Sequence, residues 1–463
     1  MKIFNTLSGR KENFVPIRDN KVKMYACGIT VSGEAHIGHA YQAIIYDIIR
    51  KYLVKRGYDV TYARNYTDVD DKIILKSNET GVPADVYAKE MIAKIDAEMK
   101  RLKVGDPDVW IKATDCIGDM IAFIEKLIEK GVAYPTEKGD VYFAVEKFPS
   151  YGALSHRNLE DAIDGVRVEN DESKNNPLDF ALWKSAKEGE PFWESPWGKG
   201  RPGWHIECSC MNRKIFGDQI DIHGGGRDLI FPHHENEIAQ SESLTGKRFS
   251  KYWIHNGLIK VNGQKMSKSL GNSLLLKDIL DEYSDETIKF ALLSTNYRGD
   301  INITDNLFPE AEKHLADFYS VFLLAEEKGV KIEGEAPEID DAFNAAMDDD
   351  FNTALALSLL FGYFKSVKTK IIAGDDSAGK MLSQIKKTYS LLGLFLTSPK
   401  EFIARVNAKK TSAVPQEIID LAEERLKARK NKDFKTSDEL RDKIFSLGYQ
   451  IKDAKDGYTV EKR

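Results

Sequence analysis

Between Lys21 and Arg64 the hydrophobic period changes twice, and that change restricts the fold more than any other feature of the chain. In KVKMYAC, Lys21 to Cys27, apolar side chains alternate at Val22, Met24 and Ala26, the pattern of a strand that Gly28 is expected to end. After His39, Ile44, Ile45, Ile48, Ile49 and Leu53 recur at helical spacing. Gly57 closes that element, and DVTYAR, Asp59 to Arg64, reads as a second strand. Strand, helix, strand in this order is the unit of a parallel sheet. Such α/β sheets bind ligands where the carboxyl end of a strand meets the amino end of a helix.

That junction holds TVSGEAHIGHAYQ, Thr30 to Gln42. Free N–H groups at a helix start attract phosphate, Gly38 would let a nucleotide approach the backbone, and His36 and His39 can donate to phosphate oxygens. Capping and turn chemistry explain the same residues equally well. Downstream, NGQKMSKSLGN, Asn262 to Asn272, has neither period and reads as a mobile loop carrying Lys265 and Lys268. Two ammonium groups there could close over a triphosphate and stabilise a leaving pyrophosphate. A solvated basic turn is the plainer reading of the pair alone.

A third cluster is metal-like. Cys27, Cys116, Cys208 and Cys210 are the only cysteines in 463 residues, too few for a disulfide framework, so burial or metal binding is expected. Cys208 and Cys210 stand two apart on a helix-like run after Pro202, so at most one of them can join a shared site. In IDIHGGGRDLIFPHHENEIAQ, Ile220 to Gln240, a short strand and three glycines precede a helix with His233 and Glu237 on one face. His234 would serve almost as well by spacing. Two thiolates, an imidazole and a carboxylate suit Zn²⁺, and a metal-free polar cluster is the other possibility.

The chain is long enough for two to four domains. Its 67 basic and 73 acidic residues give a net charge of −6, so any RNA site must be a local patch. No run of about 18 apolar residues appears, and MKIFNTLSGRKENF is too charged for a signal peptide. A soluble, cytoplasmic protein is expected.

HIGH followed by KMSKS resembles the signature pair of class I aminoacyl-tRNA synthetases. The segments KIFNTLSGRKENF, RNYTDVDDKI, GRPGWHIECS, DIHGGGRDLIFPHHENEIAQS and MDDDFNT extend the resemblance, over nearly the whole chain, to the cysteinyl-tRNA synthetase family. That resemblance implies a Rossmann-type core and catalysis by His36, His39, Lys265 and Lys268. It implies ATP binding by Gly38, Lys268, Asp221, His223 and the glycines Gly224, Gly225 and Gly226, with Mg²⁺ accompanying ATP on ligands no motif fixes. It also implies one Zn²⁺ per chain on Cys27, Cys208, His233 and Glu237, and a cysteine pocket formed by Cys27, Thr67, Trp204 and His233. The implied partners are tRNA(Cys), ATP and L-cysteine, with no membrane and a monomeric state. Zinc would separate cysteine from serine, which a hydrophobic pocket cannot do well. Transfer of the adenylate to a small amine, and a non-catalytic tRNA-binding or zinc-sensing role, are the alternatives.

The expected layout is a catalytic core over residues 1–104 and 202–303, with a mixed α/β insertion at 105–201. A helical bundle at 304–400 and a small domain at 412–463 follow. The basic helices of the tail read from charge alone as a solvated face; the resemblance implies that they contact the anticodon. Ser32, Gly33 and Tyr41 depart from the usual pattern around HIGH, and Val460 stands where a tryptophan is usual, leaving Tyr458 as the stacking candidate. Cys116 and Cys210 are assigned to packing.

Overall fold

The computed structural model describes residues 1–157, 173–266, 273–412, 415–454 and 457–462. At its centre lies a five-stranded sheet of Rossmann type. Strands β1 (Lys21–Thr30), β2 (Asp59–Thr67), β3 (Val109–Lys112), β4 (Ile220–Gly226) and β5 (Ser250–Asn256) pair in parallel in the order β5-β4-β1-β2-β3. Helix α1 (Ile37–Lys55) makes the crossover from β1 to β2 and buries Ile44, Ile45, Ile48, Ile49 and Leu53, the residues whose spacing announced it.

Gly28 does not end its strand. β1 runs to Thr30, with a shift of register against β2 between Ala26 and Ile29. The Gly28 N–H donates to Asn65 Oδ1 at 2.8 Å, and a Cβ on Gly28 would stand 1.6 Å from the Asn65 carbonyl oxygen. Close approach of two strands, not chain termination, is what requires glycine here. Gly28→Ala is therefore expected to lower the unfolding free energy by about 3 kcal/mol or more, measured by urea titration; an unchanged midpoint would mean that the strands part at no cost.

The three glycines of Ile220–Gly226 are likewise strand rather than turn, and all are buried. A Cβ on Gly224 would lie 2.4 Å from the Tyr46 ring, whose hydroxyl donates to the carbonyls of Gly225 and Ile254. Removing side chains from β4 lets α1 settle onto the sheet.

Val109–Lys112 pairs with β2, so the central sheet takes in part of the segment 105–201. The rest of that segment includes the helix Ile117–Glu129 and an antiparallel sheet of Ala133–Pro135, Val141–Phe143, Phe180–Ser185 and Gly200–Pro202. It returns the chain to the site at Trp204.

Beyond the sheet, the helices Leu307–Glu327, Pro337–Met347, Thr353–Ala373 and Ser377–Tyr389 form the expected bundle around Phe318, Phe322, Phe364 and Phe395. AGDDSAGK is shorter as a loop than its polarity suggests: Gly374, at φ 71°, ends one helix and the next begins at Ser377. Glu286 ties this bundle to the catalytic half by accepting from the N–H groups of Phe395, Leu396 and Thr397 and from the Tyr319 hydroxyl. In the tail, helices Gln416–Lys430 and Phe434–Ser446 and the antiparallel hairpin Tyr449–Ala454/Gly457–Lys462 share a small core of Ile418, Leu421, Ala422, Ile444 and Ile451. Tyr458 and Val460 pack against that core. Among the described residues no helix is long and apolar enough to cross a membrane.

Candidate active site

A cleft of about 570 Å³ opens at the carboxyl ends of β1 and β4, lined by residues that include Gly28, His36, Gly38, His39, Trp204, Gly226 and Lys265. Its floor is the start of α1. His36 is the N-cap, in extended backbone, and its Nδ1 accepts from the Gly38 N–H at 3.1 Å. His39 Nδ1 accepts from the His36 N–H at 3.3 Å, and the two rings stack with centroids 3.6 Å apart. Capping is thus realised, and it serves the other reading. An imidazole whose Nδ1 accepts a backbone N–H carries its proton on Nε2, so both rings are fixed as donors at their outer edges.

Lys265 lies not in a loop but in the short strand Gln264–Lys265, paired antiparallel with Ile259–Val261. Lys268 falls in 267–272, outside the described residues. Leu274 and Leu276 are bonded to the start of α1: the Ile37 N–H donates to the Leu274 carbonyl and the Leu276 N–H to the Ala35 carbonyl. Lys277 Nζ meets both Glu34 oxygens at 2.8 and 2.9 Å. Residues 274–277, which follow the second motif in sequence, are therefore stitched to the cap that the first motif forms.

Behind the cleft six donor side chains converge. Cys27 comes from β1, Cys208 from the helix Trp204–Phe216, His223 from β4, and His233, His234 and Glu237 from the turn into the helix Glu235–Thr245. Cys27 Sγ is 3.6 Å from Cys208 Sγ and 3.6 Å from Glu237 Oε1, and His233 Nε2 is 3.2 Å from the same oxygen. A tetrahedral zinc with its usual bond lengths spaces its donors by roughly 3.3–3.8 Å, so Cys27, Cys208, His233 and Glu237 fit one. Spacing had left His234 open as well, and it too is in reach, with Nε2 3.2 Å from Cys27 Sγ. Burial pushes the Cys27 thiol and the Glu237 carboxyl up, while burial and neighbouring imidazoles hold His233 and His234 well below the usual histidine range. His223 is lowered to about 3 by burial. Burial thus favours the uncharged forms of Cys27, Glu237 and the three imidazoles, and Glu237 Oε2 is buried with no partner among the described residues. A dication is the charge such donors lack.

Trp204, 38% exposed, faces the cleft and stacks on His233 with centroids 4.4 Å apart, joining cleft and cluster. Thr67 is buried, and its hydroxyl donates to Glu207 Oε2 at 2.8 Å. Several residues expected at the nucleotide do not line the cleft. Asp221 sits near the opposite end of β4, where its carboxylate accepts from the N–H groups of Ile17 and Lys23. His223 belongs to the donor cluster, and of the three glycines Gly226 alone lines the cleft. Cys116 and Cys210 are buried in the apolar core, burial pushing the Cys116 thiol up to about 11. Sequence reasoning missed Asp228, Glu34 and Lys72, which line the cleft, and Glu207, a fully buried carboxyl held well above its usual range by burial. Position two after Gly226 and one before Cys208 were the available signals for Asp228 and Glu207.

Comparison with known proteins agrees with this geometry. Residues 13–313 match the class I (C) tRNA synthetase catalytic domain, and residues 342–397 match the DALR domain. Methionyl-tRNA synthetase of Mycobacterium tuberculosis superposes with a TM-score of 0.57 at 16% identity, covering 87% of this chain and 94% of that one. A leucyl-tRNA synthetase of Agrobacterium radiobacter gives 0.61 at 11%, covering 85% and 86%; both likenesses speak to the fold alone. The cysteine–tRNA ligase of Geobacter metallireducens is 46% identical over 482 residues, covering 99% of each chain. That of Syntrophotalea carbinolica is 45% identical over 480 residues, covering 100% of both. Identity of this extent, carried from end to end over a catalytic domain of matching class, makes this chain a member of the cysteine–tRNA ligase family.

Proposed function

We propose that this chain joins the carboxylate of L-cysteine to the α-phosphate of ATP, releasing pyrophosphate, and then passes the cysteinyl group to the terminal ribose hydroxyl of tRNA(Cys). The observation that carries this reading is the single cleft on which the HIGH imidazoles, Lys265 and the sulfur-containing donor cluster behind Trp204 converge. In that reading His36 and His39 donate through Nε2 to the phosphates, Gly38 admits them to the backbone, and Lys265 and Lys268 stabilise the leaving pyrophosphate. No covalent nucleophile is needed; alignment and charge do the work. Mg²⁺ arrives with ATP. Gly226 faces the nucleotide, whereas the partners of Asp221 and His223 lie elsewhere, which leaves Asp228 as the carboxylate available to a ribose.

Cys27, Cys208, His233 and Glu237 would hold one zinc ion, with Thr67 and Trp204 closing the cysteine pocket. Bound there, zinc supplies a borderline-soft cation that favours sulfur over oxygen. Purified protein is expected to carry about one zinc per chain, as a single four-ligand site implies; active protein free of zinc by elemental analysis would remove this basis of selectivity. All four cysteines are free thiols, which suits a reducing, cytoplasmic setting, and we read the enzyme as a monomer.

Cysteine-dependent ATP–pyrophosphate exchange, followed by transfer to tRNA in competition with small amines, tests the reading as a whole. Exchange without transfer to tRNA would favour the small-amine acceptor, and neither would favour a non-catalytic role. Lys268→Ala is expected to slow exchange by about 100-fold with little change in the cysteine KM, because its charge meets the phosphates chiefly in the transition state. A raised KM at unchanged kcat would assign it to ground-state binding instead.

A further inference from the structure

We infer that the donor cluster contains two overlapping metal seats, one facing the cleft and one set deeper, which share Cys27 and Glu237. The cleft-side seat is the set already described. The deeper seat consists of Cys27, His223, His234 and Glu237, whose donor atoms also lie within 4.8 Å of one another. This inference rests on the zinc reading and adds a second geometry to it.

The distances are those of a tetrahedral site. His223 Nε2 stands 3.7 Å from Cys27 Sγ and 3.2 Å from Glu237 Oε1, and His234 Nε2 stands 3.2 Å and 3.9 Å from the same two atoms. Each of the neighbouring histidines His233 and His234 has its own backing ring. His233 Nδ1 meets His205 Nδ1 at 3.1 Å, while His234 Nδ1 meets His255 Nε2 at 2.8 Å and His255 Nδ1 meets Thr6 Oγ1 at 2.7 Å. A ring that donates from Nδ1 to such a partner presents an Nε2 lone pair to a metal. Both seats therefore have an oriented imidazole, and a dipeptide of two histidines supplies one to each. Glu237 reaches both sets through Oε1, and its Oε2, buried and without a partner among the described residues, gives the shared carboxylate a second oxygen. Position separates the seats: His233 stacks on Trp204 at the cleft, whereas His223 lies among Tyr25, Phe249 and Trp253.

The two seats differ in composition. The cleft-side set has two thiolates and one imidazole, the deeper set one thiolate and two imidazoles. A divalent ion that accepts nitrogen readily, Zn²⁺ or Co²⁺ among them, suits the deeper set. Withdrawal of Cys208 or His233 from the first set should then move the ion rather than release it.

Co²⁺ reports this directly, because its thiolate charge-transfer absorption scales with the number of coordinated sulfurs. The full-length wild-type chain loaded with Co²⁺ is expected to bind one ion with two-thiolate intensity. His233→Asn should still bind one Co²⁺, with affinity lowered no more than about 10- to 100-fold, but with the intensity halved although both cysteines remain. Cys208→Ala should give the same halved spectrum, and adding His223→Asn to either variant should abolish stoichiometric binding. Two-thiolate intensity in His233→Asn, no Co²⁺ in a folded Cys208→Ala chain, or indifference to the added His223→Asn would each overturn the deeper seat while leaving the zinc reading intact. A wild-type chain that binds no Co²⁺ would instead remove the zinc reading and this inference with it.

Discussion

Cys27→Ala is expected to lower kcat/KM for cysteine in pyrophosphate exchange by about 1,000-fold and to reduce the preference for cysteine over serine to about 100-fold or less. Cys27 is the only cysteine common to both donor sets, so its loss leaves neither with four protein ligands. What remains at the cleft is Trp204 and its neighbours, which recognise shape, and shape barely separates a thiol from a hydroxyl. In the proposed mechanism the loss should fall mainly on KM, because His36 and His39 keep their bonds at the start of α1. Exchange rates measured with each amino acid decide the matter. Retention of the wild-type cysteine-to-serine ratio in a folded Cys27→Ala chain would mean that the cluster is a structural polar core and that selectivity resides elsewhere.

Much of the fold was legible because hydrophobic period is a local property. The apolar spacing of Ile44 to Leu53 exposed α1, and that of Leu357, Leu360, Phe361 and Phe364 suggested the bundle; of these four Phe361 alone stays exposed, at 45%, on the edge of its helix's apolar face. Glycines were misread for the converse reason. Gly28 and Gly224 answer to Asn65 and Tyr46, partners distant in the chain, and a strand crowded from outside looks in sequence like a strand that ends. Lys265 was hidden similarly, because its strand of two residues exists only through its pairing with Ile259–Val261.

The site divided along the same line. His233 and Glu237 were paired by their i, i+4 spacing, whereas face geometry said only that at most one of Cys208 and Cys210 could join them, and the choice of Cys208 rested on the family resemblance. Spacing could not choose between His233 and His234 because the structure uses both orientations, one toward Trp204 and one toward His255. Asp221 was assigned to the nucleotide through its neighbours in sequence. In a strand, residues five apart lie about 17 Å apart, so Asp221 and Gly226 mark opposite ends of β4, and only the latter can meet a ligand at the carboxyl edge.

Truncation after Lys409 should leave pyrophosphate exchange within about twofold of the full chain and cut transfer to tRNA by about 30- to 25,000-fold, the cost of losing stacking on two bases at about 1–3 kcal/mol each. The cut spares the residues that finish the bundle: Lys409 pairs with Glu282 and Glu312 and lies over the Tyr283 ring at 3.4 Å. The removed part has its own core around Ile418, Leu421 and Ile444 and its own staple, Arg425 and Arg429 on Asp453, so it packs chiefly on itself. It takes away an RNA-suited surface. On the helix Phe434–Ser446, Phe434 and Phe445 are 63% and 50% exposed, and their spacing of eleven residues sets them on one face with Arg441. Planar side chains and a guanidinium are what splayed single-stranded bases and their phosphates require, and these rings, rather than the packed Tyr458, are the surfaces offered. Transfer by the truncated chain should also become indifferent to anticodon substitutions that slow the full-length enzyme. A folded, truncated protein that charges tRNA as well as the full chain would free the tail from anticodon reading and make a small amine the better acceptor.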